Sequence, residues 1–170
     1  MELGGNAPVI VTPSADLSAA AAHVIGNKMR CAGQTCVAPQ RAFVHRSVYR
    51  EFLAMCTEIA PGPSAARWMS RPTPVPLLTR RRLPEWSSWV EDAVEKGARV
   101  ACGGTRPADK TSGFYFLPTI LTGVMPEMRV FREEVFGPVL ALMSYETEEE
   151  PSAWPTTRNT ASPPTSGPPT

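Results

Sequence analysis

PVIVTPSADLSAAAAHVIGNKMRCAGQTCVAPQRAFVH, residues 8–45, holds two short apolar runs on either side of one helical stretch. Pro8 to Thr12 is apolar and β-branched, which predicts a buried strand. Ser14 or Asp16 is placed to cap the helix that follows, and Leu17, Ala20, Ala21 and Val24 recur near helical spacing. That helix should fade between Met29 and Gly33, leaving Cys36 on a loop or at a helix start. Arg41 to His45 then predicts a second strand. Working outward, Ser47 should cap a helix running to about Cys56, and residues 80–96 predict another, closed by a basic last turn and a glycine at Lys96-Gly97. Ala98 to Ala101, Phe114 to Leu121 and Val135 to Met143 are further strand candidates. Alternating helices and strands predict an α/β fold with a mainly parallel sheet. The chain has no internal repeat.

A length of 170 residues suffices for one domain with a real core, and 42% hydrophobic residues is ordinary for a globular chain. The 19 prolines are not ordinary. They gather near residues 61–76 and again from Pro151 onward, where their density predicts poorly structured chain. Seventeen basic against 16 acidic residues leave a net charge of +1, which gives no electrostatic case for nucleic acid or an anionic membrane surface. Cys31, Cys36, Cys56 and Cys102 form neither a CxxC pair nor a Cys/His ligand cluster, so they predict reduced thiols, a cytoplasmic setting and no metal site. No apolar run approaches the roughly 20 residues of a membrane span, and the first residues lack the pattern of a secretory signal.

Chemistry concentrates in three places. Cys36 closes Gly33-Gln34-Thr35-Cys36, and Glu2 opens Glu2-Leu3-Gly4-Gly5-Asn6 thirty-four residues before it. A thiol and a carboxylate are the two groups needed to make a thioester and then hydrolyse it. The third is Glu133-Glu134-Val135-Phe136-Gly137-Pro138-Val139. Each has a plainer reading in isolation. Cys36 alone is most simply a small buried hydrophobe. Glu2 alone reads as a capping or surface glutamate, and the third stretch as a charged turn before a strand. His23 reads as a helix-face residue and His45 as a strand-end one, with no triad pattern around either.

Taken together and in order, the three segments resemble the active-site and cofactor-ribose signatures of the NAD(P)-dependent aldehyde dehydrogenases, and the thirty-four-residue spacing is similar to that family's. Lys96-Gly97-Ala98-Arg99-Val100, Gly103-Gly104 and Pro118-Thr119 extend the likeness. The resemblance implies a partial three-layer αβα catalytic domain over residues 1–146, without the cofactor domain, and a Pro/Thr/Ser-rich disordered tail over 147–170. It implies Cys36 as nucleophile and Glu2 as the general base that activates water. Gly4 would let backbone approach the cofactor, Glu134 would accept from the nicotinamide-ribose hydroxyls, and Phe136 would pack beside the nicotinamide. NAD or NADP is the implied cofactor and a small aldehyde the implied substrate. Glu-Leu-Gly-Gly-Asn-Ala-Pro with Gly-Gln-Thr-Cys resembles succinate-semialdehyde dehydrogenase-like members. The family is homo-oligomeric, but its oligomer-building segments have no counterpart here.

Three departures bear on activity. No Gly-rich turn follows a strand, and the family's phosphate-contacting lysine and oxyanion-hole asparagine have no counterpart. Residues 61–76 and Trp86 to Trp89 fit the family poorly between well-matched flanks, through loop variation or compensating frame errors. Permitted codons for Trp154 to Thr165, read from the third base of the first, spell A-N-D-T-E-Y-G-L-A-S-Y, the continuation the family leads one to expect. The reading frame is therefore expected to slip near Glu150-Pro151. Two alternatives to an active dehydrogenase follow: a non-catalytic truncated product, or a cofactor-independent thiol esterase.

Overall fold

The computed structural model describes residues 4–60, 82–108 and 115–153. Five strands, β1 (Ala7–Val11), β2 (Pro39–His45), β3 (Arg99–Cys102), β4 (Thr119–Thr122) and β5 (Val139–Tyr145), form one sheet in the order β1-β2-β5-β4-β3. β1 pairs with β2, β2 with β5 and β4 with β5 in parallel, and only β3 and β4 run antiparallel. The mainly parallel α/β sheet expected from the sequence is the one observed. Its middle strand, β5, is a nearly unbroken apolar run, as a strand covered on both faces must be.

The period-two alternation of the strands divides the core. Phe43, Leu121, Val139, Ala141 and Met143 face one way and join Trp86, Trp89, Val90 and Ala93 of α3 (Arg82–Glu95) and Val130 and Phe131 of α4 (Arg129–Arg132). Ala42, Val44, Ile120, Leu140 and Leu142 face the other way, onto α1 (Leu17–Met29) and α2 (Tyr49–Ile59). The result is three layers, helix, sheet and helix. Trp86 is fully buried and meets Phe116 edge-on, so the Trp86–Trp89 stretch belongs to the core despite its poor likeness to the family.

Several boundaries differ from expectation. Asp16, not Ser14, caps α1, accepting from the Ala19 amide at 3.0 Å. Ser47 does not cap α2; its hydroxyl pairs with His45 Nδ1 at 2.8 Å, and Val48 is the N-cap. β4 begins only at Thr119, whose hydroxyl donates to the Leu117 carbonyl and accepts from the Gly104 amide; Phe114 lies outside the described residues. β5 starts four residues later than expected because the amides of Phe136 and Gly137 turn back onto the carbonyls of Glu134 and Val135. The segment expected to be a disordered tail from 147 opens instead with a short helix, α5 (Glu149–Ala153). Its physical reason is local: the Glu150 carboxylate accepts from the Thr147 amide at 3.2 Å, the Glu150 amide donates to the Thr147 carbonyl, and Pro151 is buried. Residues 61–76 and the rest of the tail lie outside the described residues. Among the described residues no helix is long and apolar enough to cross a membrane.

Candidate active site

The chain leaves α1 through a short 3₁₀ turn, Arg30–Gly33, in which Cys31 (φ 51°), Ala32 (φ 56°) and Gly33 (φ 70°) all take left-handed backbone. For residues with a Cβ that conformation costs roughly 1–2 kcal/mol each. Buried Ala32 and the Gln34 side chain, which donates to the Cys31 carbonyl at 3.0 Å, hold the turn in place. The strain is concentrated immediately before Cys36. Replacing exposed Cys31 by asparagine, which tolerates left-handed backbone, should raise the unfolding free energy by about 1 kcal/mol. A urea midpoint that falls instead would show that the turn is not strained at Cys31.

Cys36 itself sits on a turn closed by the Ala38 amide on the Thr35 carbonyl at 3.1 Å, so it lies on a loop and at no helix start. It is exposed, against the plainer reading of a buried hydrophobe. A Cβ on Gly5 would stand 2.1 Å from the Cys36 carbonyl oxygen, so only glycine allows these two backbones to touch. Gly4, Gly5, Asn6, Cys36, Val37 and Arg41 line a cleft of about 420 Å³. Arg41, nearly fully buried, donates to the Asn6 carbonyl at 3.1 Å and stacks over Phe131 at 5.0 Å. Asn6 Nδ2 donates to the Phe131 carbonyl at 3.2 Å.

The loop 133–138 lies against Gly4 and Gly33. A Cβ on Gly4 would stand 2.5 Å from Glu134 Oε2, so the Gly4 backbone lies flush against that carboxylate. A Cβ on Gly33 would stand 2.1 Å from the Gly137 carbonyl oxygen, and one on Gly137 would strike Trp86 at 2.4 Å. Glu133 receives both Arg129 Nε and Nη2, at 2.9 and 3.0 Å, and Trp89 Nε1 at 2.8 Å. Burial pushes the Glu133 carboxyl up, but those donors outweigh it and hold it below the usual carboxylate range. Glu133 thereby anchors the loop, and Glu134 is left with one buried carboxylate oxygen, Oε1, that has no hydrogen-bond partner.

Four of the five site residues expected from sequence are thus described. Cys36, Gly4 and Glu134 converge through the glycine contacts, and Phe136 stands half-buried on the same loop as Glu134. Glu2 lies outside the described residues. An acceptor-only oxygen with no donor, beside a glycine that leaves backbone bare, fits the hydroxyls of a ribose, so the residues present suit the nicotinamide end of NAD or NADP.

Sequence reasoning missed Lys28. It occupies the fourth position of the buried stripe Ala21, Val24, Ile25, Lys28 and Met29 on α1, and is itself fully buried. A lysine on an apolar stripe was the available signal. It also missed Trp86, whose partner Phe116 is far away in sequence, and Arg129, which pairs with Glu133 four positions on.

A family model described as the aldehyde dehydrogenase family matches residues 1–155. Among curated proteins the chain is similar to the NADP(+)-type succinate-semialdehyde dehydrogenases 2 and 1 of Schizosaccharomyces pombe, at 37% and 40% identity over 155 residues. Each match covers 91% of this chain but 31% of the relative. A 3-sulfolactaldehyde dehydrogenase of Priestia aryabhattai is 36% identical over 151 residues, 88% of this chain and 31% of that protein. Among solved structures, a 3,6-anhydro-L-galactose dehydrogenase in complex with NAP aligns with a TM-score of 0.82 at 32% identity, over 90% of this chain and 33% of that one. Lactaldehyde dehydrogenase from Escherichia coli aligns with a TM-score of 0.77 at 36% identity, over 88% and 31%. The chain spans about a third of the length of the proteins it matches.

Proposed function

The chain belongs to the aldehyde dehydrogenase family, and on that premise we propose that it carries the nucleophile and the nicotinamide-ribose contacts of an NAD(P)-dependent aldehyde oxidation. The observation that carries this reading is the convergence of three sequence-distant segments at glycine: Gly5 against the Cys36 carbonyl, Gly4 against Glu134 and Gly33 against Gly137.

Cys36 Sγ, exposed at the cleft, attacks the aldehyde carbon and forms a thiohemiacetal. The chemistry that NAD or NADP would supply when bound is hydride acceptance, which would turn that thiohemiacetal into a thioester on Cys36. The thioester left on Cys36 is hydrolysed by a water whose proton is taken by Glu2, which the family's motif assigns as general base. Glu134 holds the ribose through its unpartnered oxygen, and Gly4 lets the two approach. Phe136 limits the position of the nicotinamide. The substrate class is a small aldehyde bearing an anionic group, the feature shared by the substrates in the names of the succinate-semialdehyde and 3-sulfolactaldehyde relatives.

The nucleophile is tested without cofactor. An activated ester such as p-nitrophenyl acetate should leave an acyl adduct on Cys36, seen by peptide mass spectrometry, and Cys36→Ala should abolish it. Glu2→Gln should leave acylation intact and slow release of the acyl group. An adduct that survives Cys36→Ala, or one found mainly on Cys31, would overturn the assignment. Incubation with succinate semialdehyde and NADP+ or NAD+, followed at the reduced-cofactor absorbance, tests the full reaction. Acylation of Cys36 without cofactor reduction would leave only the acyl-transfer half.

A further inference from the structure

Lys28 has no part in the reaction above, yet it joins the Cys36 side of the site to the loop that carries Glu134. Its ammonium donates to Gln40 Oε1 at 3.0 Å and to the Val135 carbonyl at 3.4 Å. Gln40 belongs to β2, the strand that follows the Cys36 turn; Val135 belongs to the loop that carries Glu134 and Phe136. The same Val135 carbonyl also accepts from the Gly137 amide at 2.8 Å, so both of its lone pairs are occupied. Gln40 is 2% exposed, and an ammonium, which only donates, requires its amide to present oxygen toward α1.

A buried lysine is expensive, and a methionine of similar length would fill the same space. Burial pushes the Lys28 ammonium down to about 7, and the charge of Glu134 acts in the opposite sense. Glu134 is thus the carboxylate whose charge Lys28 feels. The lysine grips the peptide next to Glu134 through the Val135 carbonyl.

We propose that Lys28 is a positioning residue for the nicotinamide-ribose site, clamping the 133–138 loop to α1 and β2 through Val135 and Gln40, one peptide away from Glu134. The inference rests on the reading of Glu134 as the ribose acceptor.

Two measurements test it on the full chain. In the first, the Lys28 ε-carbon is followed by NMR through a pH titration. The wild-type midpoint is expected near about 7, and Glu134→Gln, which removes the charge while keeping the shape, is expected to move it lower. A midpoint unmoved by Glu134→Gln overturns the coupling, and with it the inference. A purely packing role for Lys28 would leave that midpoint alone.

In the second, nicotinamide mononucleotide is titrated while tryptophan emission reports on Trp86 beside Gly137. Glu134→Gln and Lys28→Met should each weaken binding by roughly tenfold. The double variant should be no weaker than Glu134→Gln alone, because the two act as one unit. Loss on Glu134→Gln but not on Lys28→Met overturns the positioning role and leaves the ribose reading standing. No loss on Glu134→Gln, or no binding by the wild-type chain, sinks the ribose reading and this inference together.

Discussion

Replacing Gly33 by alanine should lower the unfolding free energy by roughly 4 kcal/mol or more, a value reached only when a substitution disrupts the core or its backbone. The added Cβ would lie 2.1 Å from the Gly137 carbonyl oxygen, 2.6 Å from its carbon and 3.0 Å from the Lys28 carbonyl oxygen. All three are backbone atoms, so no side chain can swing aside. Nor can Gly137 retreat, since Trp86 packs on its other side and is fully buried. The left-handed φ of +70° adds about 1 kcal/mol for a residue with a Cβ. Separation of the 133–138 loop from the Cys36 segment is the least costly relief, and it would dismantle the convergence on which the site depends.

Gly26 provides the opposite control. It lies within α1 with nothing within 4 Å of its would-be Cβ, so Gly26→Ala should stabilise by about 0.5–1 kcal/mol. Urea unfolding followed by tryptophan fluorescence reads both. A Gly33→Ala midpoint within 1 kcal/mol of wild type would mean that the contact with Gly137 is not made.

The sequence was most legible where one physical rule governs a short stretch. The strand at Pro8–Thr12, the helix of residues 80–96 and the glycine stop at Gly97 follow from local pattern, and each formed within a few residues of expectation, although the helix ends at Glu95, before Lys96 could form a basic last turn. Cys36, Gly4 and Glu134 could be singled out because each stands in a motif of several residues, and their segments meet in the fold. What the sequence did not disclose are contacts that close over long separations. Gly33 against Gly137, Trp89 against Glu133 and Lys28 against Val135 join residues that no window of ten or fifteen positions contains together. The left-handed run Cys31-Ala32-Gly33 was hidden for another reason: cysteine and alanine carry no preference for that backbone, and only tertiary packing holds them there. The acidic start of α5, where Glu150 reaches back to the Thr147 amide, was visible but was outweighed by the proline-rich composition that follows it. A local hydrogen-bonding rule prevailed over an averaged one.

The second large effect concerns pH. Stability should rise by roughly 2 kcal/mol between pH 7 and pH 9 in the wild-type chain, and Lys28→Met should remove that rise. The sign follows from proton counting. Burial lowers Lys28 from 10.5 to about 7, against a smaller opposing influence of Glu134. Below about pH 7 the lysine is protonated in both folded and unfolded chains, and the folded state bears the full penalty of a buried charge. Between about 7 and 10.5 the unfolded chain binds a proton that the folded chain does not, so stability climbs with pH by at most about 1.4 kcal/mol per unit.

The climb meets an opposing term near pH 9. Cys56, raised by burial from 9.0 to about 12, stays protonated in the fold while the unfolded thiol ionises. Tyr49, raised by burial from 10.0 to about 12, adds the same sign above pH 10. The wild-type curve should therefore level off near pH 9 and fall beyond about 10, whereas Lys28→Met should be flat from 7 to 9 and then fall. Denaturation midpoints at half-unit steps of pH separate the two. Parallel curves for the two proteins would show that Lys28 keeps an ordinary ammonium in the fold. They would also mean that the clamp on the 133–138 loop is held by a solvated charge rather than by a buried one.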